Sequence, residues 1–126
     1  MAKWSKSAEW MMITQNDLKF FLRRILLGHV GHENAIKLEA ILITIGLKDE
    51  RNVRRSIESL IEDDEFPVCS VTDEEPKGYF FPASVEEASK YALKLHDQAM
   101  SILHRGSHIE QITSRWYERA RQLEMV

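Results

Sequence analysis

The amino-acid sequence predicts a mainly α-helical chain with one small β-hairpin and a long amphipathic helix at its C-terminal end. Three observations carry this expectation. Between residues 15 and 61, apolar side chains recur at three- and four-residue steps in three runs, each bounded by capping residues or glycine. Two apolar and aromatic stretches then flank a polar loop, the pattern of two paired strands. From Ser84 onward an apolar seven-residue repeat persists almost to the last residue. The composition agrees, since five Gly and three Pro among 126 residues, with 44% hydrophobic side chains, describe a folded, helix-rich chain rather than a disordered one.

The first helix is expected over Gln15 to Leu27. Leu18, Phe21, Leu22, Ile25 and Leu26 share one face, Thr14 or Asn16 supplies the N-cap, and Gly28 ends the run. Gly28 to Asn34 reads as a loop, and Ala35 and Ile36 as a short extended piece. Leu38, Ile41, Leu42 and Ile45 define a second helix that stops at Gly46. Leu47 and Lys48 make a tight connection, Asp49 caps a third helix, and Val53, Ile57, Leu60 and Ile61 form its inward stripe. Two helices joined by so few residues through a glycine have helix-turn-helix spacing. Phe66–Val71 and Gly78–Phe81 are the two strands, joined by a polar loop from Thr72 to Lys77.

Ser84 and Glu87 form a capping-box pattern that opens the last helix. Its seven-residue repeat runs through Val85, Ala88, Ala92, Leu95, Ala99, Ile102, Gly106, Ile109, Thr113, Trp116, Ala120 and Leu123. A helix this long needs a partner surface, which assigns Leu95, Ile102, Ile109, Trp116 and Leu123 to self-association as a homodimer. The competing expectation is that Gly106 splits the helix, so that residues 107–124 fold back on the same chain. The organisation is therefore an N-terminal arm at residues 1–14, a compact domain at 15–83 and an oligomerisation helix at 84–126. Trp4, Trp10, Trp116 and Tyr117 lie outside that domain, where another segment or subunit is expected to cover them.

Several function classes are excluded at this level. No apolar run is long enough to span a bilayer, and residues 1–12 lack the apolar centre and cleavage site of a secretory signal, so a cytoplasmic protein is expected. The lone Cys69 has no partner for an internal disulfide and reads as a buried small side chain. Gly-rich phosphate loops, nucleophile elbows and zinc-peptidase helices are all missing, and a non-enzymatic protein without cofactor is expected. His104 and His108, like His29, His32 and Glu33, lack the companion ligands of a specific metal site, so none is assigned.

Charge is unevenly distributed. The net charge of −3 gives no overall attraction for nucleic acid, so any such binding needs a local patch. Arg51, Arg54 and Arg55 cluster on the third helix, whereas Glu62–Glu65 and Asp73–Glu75 are acidic runs.

The order helix, short strand, helix, turn, helix, hairpin over residues 18–82 resembles the winged helix-turn-helix family. More narrowly, HENAI at 32–36, RNVRRSIESL at 51–60, and the PVCS and KGYFF segments between 67 and 81 are similar to small phage and prophage DNA-binding proteins. The resemblance implies sequence-directed binding of double-stranded DNA by the third helix, in a transcription regulator or replication accessory. Its inward stripe turns Arg51, Asn52, Arg55, Ser56 and Ser59 towards solvent, with Arg54 at the margin. Arginine in that position pairs with phosphate or reads guanine, and asparagine reads adenine. Lys77 is the basic contribution of the hairpin. Against this stand the acidic hairpin loop, which repels phosphate, and the alternative that the arginines pair with Glu50 and Glu58 on a solvated helix. A protein-interaction module on the same fold is the second expectation.

Overall fold

The computed structural model describes residues 14–124; the expected N-terminal arm, with Trp4 and Trp10, lies outside them. Among the described residues four α-helices and one antiparallel strand pair follow in the expected order. They are α1 (Gln15–Leu27), α2 (Leu38–Ile45), α3 (Glu50–Glu62), β1 (Cys69–Val71), β2 (Gly78–Phe80) and α4 (Val85–Glu124). The described residues divide into two compact units, 14–88 and 89–124. The division falls inside α4, whose first turn is tied to the loop before α2 by Glu87.

Each helix of the first unit begins and ends for a local reason. The Thr14 hydroxyl accepts from the Asp17 amide while the Asp17 carboxylate accepts from the Thr14 amide, so two otherwise orphaned donors are satisfied at the start of α1. Gly46 closes α2 at φ 82°, the left-handed conformation that a β-carbon disfavours. Asp49 accepts from the Asn52 amide and starts α3 only three residues later. That short αL turn sets the path from α2 into α3.

The core forms where these helices meet. Leu18, Leu22 and Leu26 of α1 pack with Leu38 and Ile41 of α2 and with Val53, Ile57 and Leu60 of α3, joined by Ile36 and Val68. Each large side chain removed from water contributes about 1.5–3 kcal/mol, so this cluster is the main source of cohesion. Two expected core positions lie elsewhere. Phe21 and Ile61 are about half exposed, since the buried faces of α1 and α3 are made by Leu18, Lys19, Leu22 and Leu26 and by Val53, Ser56, Ile57 and Leu60. Lys19 is buried instead: its stem lies along the core and its ammonium reaches Asp64 at 3.4 Å.

The hairpin is shorter than the sequence pattern suggests. Cys69, Ser70 and Val71 face Phe80, Tyr79 and Gly78. On the other edge of β2, Ile36 and Tyr79 exchange both backbone hydrogen bonds at 2.8 Å, so the extended residue before α2 acts as a one-residue third strand. Val30 forms a further bridge to Phe81. Cys69 is buried, and burial, reinforced by the nearby Glu87 carboxylate, pushes its thiol up to about 11. It stays a protonated, inert core side chain at neutral pH.

The second unit consists of the rest of α4. The helix runs unbroken through Gly106, which overturns the fold-back expectation. At 1.5 Å per residue its 40 residues extend about 60 Å, and none of them is buried. The repeat residues Leu95, Ile102, Ile109, Trp116 and Leu123 are all exposed, Leu123 at 72%.

Gly78 links the two strand pairings. It adopts φ 134°, and a β-carbon there would collide with the Ile36 carbonyl. Gly78→Ala is therefore expected to destabilise the fold by at least about 2 kcal/mol, read as a lower urea midpoint. An unchanged midpoint would show that the Ile36 edge yields without cost.

Candidate nucleic-acid interface

The position of each α3 side chain follows from the core contact. Val53, Ser56, Ile57 and Leu60 are buried, so the opposite face carries Arg51, Arg55, Glu58 and Glu62. At 100° per residue, Arg51 and Arg55 lie side by side in the first two turns, and Glu58 and Glu62 follow in the last two. The exposed face is thus basic at its N-terminal half and acidic at its C-terminal half.

The three arginines differ in their surroundings. Arg54 stands on the flank and pairs with Glu50 one turn earlier at 3.8 Å, an exposed contact that contributes at most about 0.5 kcal/mol. Burial pushes the Tyr79 phenol up, Arg54 acting against it and Glu58 and Glu50 adding to it, which places that flank within electrostatic reach of β2. Arg51 and Arg55 are exposed and carry no ion pair among the described residues. The alternative pairing of these arginines with Glu50 and Glu58 is met, among the described residues, by Arg54 with Glu50 alone.

Asn52 is half-buried on the other flank, and Lys77 is exposed at the end of the hairpin loop. Ser56 corrects the sequence reading. Instead of facing solvent it is fully buried, donating to the Asn52 carbonyl at 2.9 Å and accepting from the Gln15 side chain at 2.8 Å. It sits 140° round the helix from Arg51, between the buried Val53 and Leu60, and cannot reach an external ligand. Ser59 is half-buried and donates to Asp63 at 2.6 Å. Of the six residues expected to contact DNA, the structure therefore gathers Arg51, Asn52, Arg54 and Arg55 on one exposed helix half and removes Ser56.

Part of the acidic run after α3 is structural. Asp64 accepts from Arg23 at 3.2 Å and also pairs with Lys19, tying the end of α3 back to α1. Sequence spacing gave no signal for this, since the partners are more than forty residues apart. The hairpin-loop acids Asp73, Glu74 and Glu75 are exposed.

The histidine loop has a structural account as well. The His32 ring packs on Phe80 at 5.6 Å and donates to the Pro76 carbonyl at 3.1 Å. Glu87 accepts from the His32 amide at 3.2 Å and from the Ala83 amide at 2.8 Å, while its own amide donates to Ser84. The capping pattern is thus real but displaced by one residue, and it also fastens the loop. His104 and His108 stack with ring centroids 6.3 Å apart, and no metal-holding cluster exists among the described residues.

No protein-family model matches this chain, and neither a curated protein nor a solved structure shows significant similarity to it.

The Gln15–Ser56 bond fixes the rotation of α3 about its axis, and its removal has a defined signature. Ser56→Ala and Gln15→Ala should each cost about 1 kcal/mol in urea unfolding, and the double variant little more than either. Additive losses would mean that the two side chains act independently.

Proposed function

We propose that residues 15–83 form a winged helix-turn-helix domain that binds double-stranded DNA in a sequence-directed way, as a phage or prophage transcription regulator or replication accessory in the cytoplasm. The observation that carries this reading is the pair Arg51 and Arg55. Both are exposed and carry no ion pair among the described residues, side by side on the N-terminal half of a helix that follows α2 through a four-residue connection, Gly46 to Asp49. A recognition helix contacts base edges with its N-terminal residues, and two forked guanidiniums suit guanine edges and phosphates alike. Arg54 and Asn52 flank them.

The acidic hairpin loop is a poor ligand for phosphate, so α3 supplies most of the contact and Lys77 the hairpin's share. The surface lacks the broad positive field of a protein that coats nucleic acid, which favours a local, specific contact. Neither a catalytic group nor a cofactor is required. The exposed stripe of α4 serves self-association, so that two copies of α3 act on one DNA.

A second reading, a protein-interaction module, is favoured by one feature. Phe21, Arg24, Ile25, Thr44 and Ile45 line an apolar hollow of about 380 Å³ between α1 and α2, beside an Ile43 that is 82% exposed. Retention of a random DNA pool at low and moderate salt separates the readings, since only a DNA-binding domain enriches particular sequences.

On the enriched DNA, Arg51→Ala with Arg55→Ala is expected to weaken binding by about 1–3 kcal/mol per lost base contact at one fixed salt concentration. The circular dichroism spectrum should not change, because neither side chain contributes to the core. Undiminished affinity would reject α3 as the reading element.

A further inference from the structure

The charges beside the apolar stripe of α4 specify how two copies meet. Taking Val85, Ala92, Ala99, Gly106, Thr113 and Ala120 as one row of seam positions and Ala88, Leu95, Ile102, Ile109, Trp116 and Leu123 as the other, the edge on one side holds Arg105, Ile112 and Arg119. The opposite edge holds Glu110, Tyr117 and Glu124. Two helices running in parallel and in register bring each residue of the first edge against the residue five positions later in the second copy. In the C-terminal half of α4 the pairs are then Arg105 with Glu110, Ile112 with Tyr117 and Arg119 with Glu124, each occurring twice across the twofold axis; the N-terminal half sets Tyr91 against His96 and Gln98 against Leu103 and adds no ion pair.

These charges have little use for one another inside a single helix. No carboxylate lies three or four residues from Arg105 or Arg119, and no cation lies at those distances from Glu110. Glu118, on the outer face, does have Arg115 and Arg121 at three residues on either side. Arg105, Arg119 and Glu110 are thus left for an external partner, whereas Glu124 has Arg121 three residues before it; all four flanking side chains are exposed.

We infer that α4 pairs with α4 of a second copy as a parallel, in-register coiled coil, held in that orientation by Arg105–Glu110 and Arg119–Glu124 pairs between copies. The alternation of small and large seam residues is a pattern that an antiparallel pair also uses. The charges decide against it: an antiparallel pair sets like edges together, so Arg105 and Arg119 never meet Glu110 or Glu124 in any register. In the parallel pair the Trp116 rings pack between the smaller Thr113 and Ala120 layers. This inference rests on the self-association proposed above. Its consequence is that both copies of α4 begin at the same end of the rod, and adjacent half-sites of one DNA duplex become reachable together.

The test uses the full chain and no DNA, so its failure is distinct from failure of the DNA reading. Light scattering at tens of micromolar should give a dimer. Arg105→Glu with Arg119→Glu sets acid against acid and should raise the dimer dissociation constant at least about tenfold, and Glu110→Arg with Glu124→Arg should do the same. Mixing these two double variants makes every flanking pair complementary again, and native mass spectrometry should find the heterodimer in excess of either homodimer. A monomeric intact protein, including one whose own residues 1–13 cover the stripe, overturns the inference. So does a dimer indifferent to the charge reversals, or a mixture that shows no preference for the heterodimer, either of which points to antiparallel pairing.

Discussion

The contact of α3 with α1 is the constraint on which the rest of the first unit depends. Leu18, Leu22 and Leu26 present one continuous stripe, and Val53, Ile57 and Leu60 close over it. Hydrophobic burial is non-directional and would tolerate some rotation of either helix. The Gln15–Ser56 hydrogen bond at one end and the grip of Lys19 and Arg23 on Asp64 at the other remove that freedom. Once α3 is fixed in rotation, the direction of Arg51 and Arg55 is fixed with it, although neither takes part in the packing. The candidate interface is a by-product of how its reverse side is buried.

The hairpin and the start of α4 are fastened by polar groups rather than by bulk. Gly78 admits the Ile36 carbonyl beside β2, and the resulting backbone pair extends the two-stranded ladder by one rung. His32 and Glu87 then satisfy the amides and carbonyls that the irregular loop would otherwise leave without partners. A small domain can carry a loop with so little regular structure only when its backbone groups are satisfied in this way. The acidic loop projects from this frame without disturbing it.

A different balance holds in the second unit. An isolated helix in water gains little from propensity alone, and most helical stability in proteins comes from burying an apolar face. No residue from 89 to 124 is buried among the described residues, and the large members of the apolar stripe stay exposed. That stripe keeps a seven-residue period for almost its whole length, the period on which the proposed pairing of two copies rests.

Much of this was legible in the sequence, because it depends on short-range spacing. The capping residues Thr14 and Asp49, the αL stop at Gly46, the stripe of α3 and the span of α4 follow from contacts within about four residues of chain. The resemblance to winged helix-turn-helix proteins rested on the same local order of elements. Ser56 was misread for the opposite reason. Its small polar side chain has the same local spacing whether it faces water or lies under Gln15, and only the approach of a residue 41 positions away distinguishes the two. The continuity of α4 through Gly106 was left open in the same manner, since a glycine lowers helix propensity without compelling a break. The sequence by itself determined where helices begin, end and carry their apolar faces, since those are set by neighbours along the chain. Which polar side chains are spent inside and which remain outside was decided by the tertiary structure, because that depends on segments brought together only when the core closes.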